Sequence, residues 1–173
     1  MPEPIRTARL TLVPASPARR AGFDAACGTR TLADRLDAFT EAQMAQLFDD
    51  LPLLSKLEAL DRAANDAEHI LCFLLTADGT EIGYAAFLSF PSPAPEAQIA
   101  LLPAYRGRGY AKEAFDALLP TVFAQGAEEL VWRALPDAEE SIALARSLGA
   151  EEIPPQDPLE AALFRSFRIA PQN

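Results

Sequence analysis

Cysteine is almost absent from this chain: Cys27 and Cys72 are the only two in 173 residues. Their number and spacing exclude a disulfide framework and a cysteine-rich metal module, and no metal is expected. Cys72 stands inside the apolar run Ile70-Leu71-Cys72-Phe73-Leu74-Leu75 and reads as a buried, reduced thiol. The single histidine, His69, at the edge of that run, reads as structural too. No apolar stretch reaches the roughly 18 residues of a membrane span. The start, Met1-Pro2-Glu3-Pro4-Ile5-Arg6, lacks the apolar core of a secretion signal. Positive charge is short as well: 15 Lys and Arg against 25 Asp and Glu leave a net charge of −10. Nucleic-acid binding wants a basic face and is not expected. These absences together lead us to expect a soluble cytoplasmic protein without nucleic-acid or membrane partners. Apolar residues, by contrast, make up 50% of the chain. That suffices for one sizeable core, and no linker or repeat divides residues 1–173, so a single domain is expected.

Local signals divide the chain into elements. Ala8 to Val13 reads as a strand with Leu10 and Leu12 on one face. Ser16-Pro17 is an N-cap and first-turn pair for a helix running towards Cys27. Thr40-Glu41-Ala42-Gln43 and Ser55-Lys56-Leu57-Glu58 fit the capping box, and Pro52 is expected to end the first of those helices. Ile70–Leu75 and Ile82–Phe90 read as strands joined by the turn Ala77-Asp78-Gly79-Thr80. Further strands are expected at Ile99–Leu102, Glu129–Leu135 and Leu159–Ile169. A helix runs from Gly109 to about Gln125 despite Pro120, and another starts at Asp137, as N-cap, and ends at Gly149. The order is that of a mixed α/β domain with antiparallel hairpins and one parallel crossing.

Glycine is scarce too, eight residues in all, yet two stand in the loop Arg106-Gly107-Arg108-Gly109-Tyr110-Ala111-Lys112. The apolar strand before it stops at Pro103, and apolar residues then recur at helical spacing from Ala111. A glycine-bearing loop between strand and helix suits an anion. Glycines allow close backbone approach, the first helical N–H groups are unpaired, and the helix dipole favours negative charge. Arg106 and Arg108 add guanidinium donors matched to phosphate oxygens. The pattern is neither the dinucleotide fingerprint nor a Walker loop, since the third glycine and the Gly-Lys-Ser/Thr are missing.

The segment Arg106-x-x-Gly109-x-Ala111 resembles the acyl-CoA pyrophosphate loop, Q/R-x-x-G-x-G/A, of the GNAT superfamily of N-acetyltransferases. Thr7-Ala8-Arg9-Leu10-Thr11-Leu12-Val13-Pro14 looks like the first strand of its ribosomal-protein N-terminal acetyltransferase branch. Glu81-Ile82-Gly83-Tyr84-Ala85 is similar to the family's third strand, and Ser141 to Ala150 resembles its late helix. The resemblance covers nearly the whole chain. It implies a mixed, mostly antiparallel twisted sheet of about six or seven strands flanked by helices. Its fourth strand, Glu96 to Leu102, would splay from the fifth, Glu129 to Leu135.

That resemblance implies acetyl-CoA as cosubstrate, with pantetheine pairing to backbone around Leu101 and Leu102 and the pyrophosphate held by Arg106, Gly107, Arg108, Gly109, Ala111 and Lys112. A primary amine, on a small molecule or a protein N-terminus, would attack the thioester directly. Glu96, seven residues before Pro103, is the candidate general base, and Ser141 the candidate group at the leaving thiolate. The chain departs from the family where an Asn is common (Ala138), where a Tyr often protonates the thiolate (Ala145) and at the terminal Phe (Ala150). Those losses keep a second reading open, a catalytically weak or inactive acyl-CoA-binding regulatory module. Asp137 reads as a cap. A homodimer is compatible with the resemblance.

Overall fold

The computed structural model describes residues 2–172. One eight-stranded sheet runs in the order β1-β2-β3-β4-β5-β6-β8-β7. Its strands are β1 (Ile5–Arg6), β2 (Thr11–Ala15), β3 (Ile70–Ala77), β4 (Thr80–Leu88), β5 (Glu96–Leu101), β6 (Leu130–Ala134), β7 (Glu151–Ile153) and β8 (Arg165–Ile169). Every neighbouring pair is antiparallel except β5 with β6. The architecture is the expected mixed one, enlarged by the short edge strands β1 and β7.

Among the described residues seven α-helices accompany the sheet: α1 (Arg19–Cys27), α2 (Leu32–Asp37), α3 (Glu41–Asp49), α4 (Leu51–Asn65), α5 (Tyr110–Ala124), α6 (Glu139–Ser147) and α7 (Pro158–Leu163). Against one sheet face, α5 and α6 bury Phe115, Leu118, Val122, Ile142 and Ala145 on Leu12, Phe73, Phe87 and Trp132. Phe115 meets Phe87 and Trp132 edge-on at centroid distances of 6.0 and 5.2 Å. Such pairs add roughly 0.5–1.5 kcal/mol each beyond area burial. On the opposite face, Cys27 of α1 packs with Cys72, Leu74, Tyr84 and Ala86. A third cluster joins α3, α4 and α7 through Leu47, Leu53, Leu57, Leu159 and Leu163.

Local capping explains most boundaries, including those that differ from expectation. Thr40 and Gln43 form the reciprocal capping box of α3. Ser55 does not start a helix. Asp50 caps α4 by accepting from the amide of Leu53, and Pro52 stands in the first turn, so that proline opens a helix rather than closing one. Helix α2, not expected, carries its own box, in which the Thr31 hydroxyl accepts from the Asp34 amide and the Asp34 carboxylate from the Thr31 amide. Helix α1 starts two residues after Ser16-Pro17, whose turn is closed by Arg19 N–H to the Ser16 carbonyl at 3.0 Å. Leu159–Ile169 is not one strand: Asp157 caps α7, Pro158 opens it, and only Arg165–Ile169 is extended. Nor does Asp137 cap α6, which begins after Ala138 with no side-chain cap. Its carboxylate instead takes a two-pronged contact from Arg30 at 2.7 and 3.0 Å. Among the described residues no helix is long and apolar enough to cross a membrane.

Gly83 controls how closely β4 meets β5. A Cβ built there would lie 2.0 Å from the Ala100 carbonyl oxygen. Gly83→Val is therefore expected to lower stability by about 1–3 kcal/mol, the scale of forced overpacking. Urea unfolding measures this, and an unchanged midpoint with an unchanged slope would refute the close approach.

Candidate functional site

Strand β5 ends at Leu101, whose partner on β4 is Gly83, and the Leu102 amide donates to the Ile82 carbonyl at 2.9 Å. A single 3₁₀ turn, Pro103–Tyr105, leads into the glycine loop. Gly107 and Gly109 both take left-handed backbone, φ +72° and +79°, which side chains disfavour. Gly109 is the N-cap of α5, and this helix has no side-chain cap. Its first backbone bond is Glu113 N–H to the Gly109 carbonyl at 3.1 Å. The amides from Gly107 to Lys112 donate to no protein acceptor among the described residues. Unpaired amides at the positive end of a fifteen-residue helix form a cradle fitted to a phosphate group.

The loop side chains are disposed unequally. Arg108 is exposed, carries no ion pair among the described residues, and lies 5.7 Å from the Tyr105 ring centroid. Arg106, also exposed, folds back onto the protein: its Nε donates to the Leu101 carbonyl at 3.1 Å and its Nη2 to the Cys27 carbonyl. It thus braces the end of α1 against the end of β5. Lys112 pairs with Asp116 one turn on at 2.7 Å, and Ala111 is half-buried in the first turn. Behind the loop, the Glu113 carboxylate accepts from the Thr7 hydroxyl (2.6 Å), the Arg9 amide (2.8 Å) and Arg9 Nε (2.6 Å). Burial pushes the Glu113 carboxyl up, but these bonds outweigh it and hold it below the usual glutamate range.

Strands β5 and β6 pair only at Glu96–Val131 and Ala97–Trp132, then part. The rest of β5, Gln98 to Leu101, therefore has no partner on the β6 side, and the sheet opens into a V. A cavity of about 680 Å³ occupies this opening. The register places Tyr84, Gln98 and Glu96 on one sheet face, under α1 and α4. Trp132 and Ser141 belong to the other face, yet they line the same cavity, which thus passes through the gap between the strands.

Both proposed reactive side chains border this cavity. Glu96 Oε2 accepts from Arg133 Nη1 at 2.7 Å, and Arg133 lies 5.9 Å from the Phe164 ring centroid. Burial pushes the Glu96 carboxyl up, and the Arg133 guanidinium, which draws it down, only partly offsets this. Ser141 does not bond back to its own helix: its Oγ accepts from Trp132 Nε1 at 3.0 Å. The hydroxyl proton of Ser141 is left without a protein acceptor among the described residues. Ala138 lines the cavity, and Ala145 is fully buried.

Sequence reasoning missed much of the wall opposite. Tyr84 donates its hydroxyl to Asp24 at 2.7 Å, and burial followed by Asp24 itself pushes the phenol far up, so it stays protonated. Arg20 of α1 donates to Gln98 at 3.0 Å and to the Ala64 carbonyl at 2.8 Å, tying two helices to β5. The period-2 pattern of Tyr84 in β4 and Arg133 in β6 was the available signal. Burial pushes the Cys72 thiol up to about 11 and raises Cys27 as well, so neither is a thiolate nucleophile at neutral pH.

An open mixed sheet, a strand pair that splays, and an anion cradle just past the free end of β5 make up the frame of the site. Residues 9–151 match the family model described as "Acetyltransferase (GNAT) domain", and the chain belongs to that family. Acetyl transfer is the class of reaction this membership supports. Among solved structures it is similar to an acetyltransferase from Agrobacterium tumefaciens str. C58, with TM-score 0.64 and 22% identity, over 99% of this chain and 95% of that one. RimL, a ribosomal L7/L12 alpha-N-protein acetyltransferase solved with coenzyme A, aligns with TM-score 0.62 and 15% identity over 97% and 98% of the two chains. The microcin C7 self-immunity acetyltransferase MccE, solved with acetyl-CoA and AMP, gives 0.60 and 13% over 98% and 97%. At these identities the likenesses bear on the fold. No curated protein matches the chain.

Proposed function

We propose that this single domain is an acetyl-CoA-dependent N-acetyltransferase of the cytoplasm, acting by direct attack of a primary amine on the thioester. The observation that carries the reading is the continuity of the opened β5–β6 gap with the cavity of about 680 Å³ that Glu96 and Ser141 border. Acetyl-CoA supplies the activated acyl group. The amides of Gly107 to Lys112 and the Arg108 guanidinium would hold its phosphates, and the free β5 edge at Gln98 to Leu101, with Leu102 beyond it, would align its pantetheine arm. Arg106 would serve this from behind, by fixing the end of β5.

Glu96 would take the proton of the incoming ammonium. A carboxyl pushed up by burial is a better base than an ordinary glutamate, while Arg133 draws it part of the way back and orients it. Ser141, with its oxygen held by Trp132, would direct its hydroxyl proton to the leaving sulfur. The acceptor would enter from the α1 and α4 side, where Asp24, Arg20 and Tyr84 stand. It would be a small-molecule amine or a protein N-terminus.

Ala138 and Ala145, at positions where the family resemblance leads one to expect an Asn and a Tyr, favour a second reading, a catalytically weak or inactive acyl-CoA-binding regulatory module. One experiment separates the two. The purified chain is titrated calorimetrically with acetyl-CoA and then given a panel of peptides, amino acids, polyamines and aminoglycosides, with thiol release monitored. Binding with release supports the enzyme, binding without release the module, and no binding refutes both.

A further inference from the structure

The glycine loop contains a peptide that could turn either way. The bond between Arg108 and Gly109 lies between two left-handed glycines, and rotating it changes only ψ of Arg108 and φ of Gly109. Glycine tolerates both signs of φ, so its own sterics do little to prevent the flip. Something outside the loop holds it: Arg9 Nη1 donates to the Arg108 carbonyl at 2.7 Å. Because the peptide is planar and trans, a carbonyl drawn towards Arg9 sends the Gly109 N–H to the opposite side.

Arg9, though exposed, is itself held by several partners. Its Nε is on Glu113 of the first α5 turn at 2.6 Å, its guanidinium lies 4.5 Å from the Tyr110 ring centroid, and its Nη2 is 3.3 Å from where a Cβ of Gly109 would sit. Thr7 supports the same carboxylate at 2.6 Å. The segment Thr7 to Arg9 comes from the opposite end of the chain, more than a hundred residues earlier, between β1 and β2. The Arg9 backbone amide adds to these ties, donating to Glu113 at 2.8 Å.

We infer that Arg9 is a positioning residue for the anion cradle: by pinning the Arg108 carbonyl it keeps the Gly109 amide aimed at the bound phosphate. The flipped peptide would present a carbonyl oxygen there instead, replacing a donor with a repelling dipole. The inference rests on the cofactor reading above and adds to it a residue outside the loop.

The test uses the full chain, with coenzyme A as the probe. Arg9→Met is expected to weaken calorimetric binding on the order of tenfold, the scale of one lost charge-assisted hydrogen bond. Arg9→Lys, which keeps a cationic donor for the Arg108 carbonyl, is expected to recover most of it. In the ¹⁵N-labelled parent, the Gly109 amide signal should shift strongly on addition of coenzyme A. Arg9→Met binding like the parent overturns the inference alone, as does a loss that Arg9→Lys fails to reverse. If Arg9→Met does not fold, the parent's Gly109 amide decides, and a signal unmoved at saturation overturns the inference. A parent that does not bind coenzyme A fells the cofactor reading, and this inference with it.

Discussion

Glu96→Gln is expected to reduce turnover by roughly 10²–10⁴-fold, the usual contribution of a positioned general base. The glutamine amide keeps the size of the side chain and a carbonyl oxygen for Arg133 Nη1, so the β5–β6 junction should stay closed. Acetyl-CoA affinity should be nearly unchanged, because the phosphate cradle lies at the other end of β5. The pH dependence follows from the sign of the shift. Burial raises the Glu96 carboxyl above its ordinary value, so the active, ionised form appears only as pH climbs through a range above that of free glutamate. Parent activity should therefore fall on acidification earlier than for an exposed carboxylate, and the variant should lose that limb altogether. The measurement is kcat against pH with an acceptor from the amine panel. A decrease of less than about threefold at every pH, far below the general-base range, removes Glu96 from the chemistry.

The second large effect is expected at the cradle. Gly109→Val puts a β-branched side chain on backbone at φ +79° and a Cβ 3.3 Å from Arg9 Nη2. Left-handed backbone costs such a residue on the order of 1–2 kcal/mol. Escape from it would turn the Tyr110 and Ala111 amides away from the ligand. Acetyl-CoA affinity should decrease by well over about tenfold, more than one lost charge-assisted hydrogen bond. Circular dichroism establishes that the variant folds, and titration calorimetry reads the affinity. A folded Gly109→Val protein with parental affinity would place the cofactor elsewhere.

What the sequence made legible was local. The strand, the glycine loop and the start of α5 lie within fifteen residues, and each is announced by residues adjacent to it. The Thr40–Gln43 box and the Gly149 end of α6 were readable for the same reason. The misreadings share a physical cause as well. Asp137 has the look of a cap, but Arg30, 107 residues away, takes its carboxylate. Leu159–Ile169 is apolar enough for either state, and the cap from Asp157 decides its first half. Ser55-Lys56-Leu57-Glu58 has the pattern of a helix start, yet Asp50 and Pro52 begin the helix earlier and carry it through. At the candidate site, Glu96 and Ser141 could be singled out from order along the chain. Arg133, Tyr84, Asp24 and Arg9 could not, because each acts on a residue 37 to 104 positions distant, and the period-2 pattern of Tyr84 and Arg133 marks a sheet face without naming a partner.

The short junction between β5 and β6 also bears on how the molecule holds together. Strands β1 to β5 form one block of continuous ladders and β6 to β8 another, joined across the middle by two ladder pairs and by the amides of Glu128, Glu129 and Val131, which donate to the carbonyls of Pro93 and Pro95 just before β5. The blocks are otherwise joined by α5, α6 and a handful of side-chain ties such as Glu96–Arg133. In the free protein this is a seam in cooperativity, along which the two halves can open locally at less cost than global unfolding. An extended chain laid along the vacant β5 edge would act as a ninth, non-covalent strand, stitching two semi-independent folding units into one. A ligand held in that gap is expected to raise the apparent stability of the fold in proportion to its occupancy, which thermal unfolding at several ligand concentrations would measure.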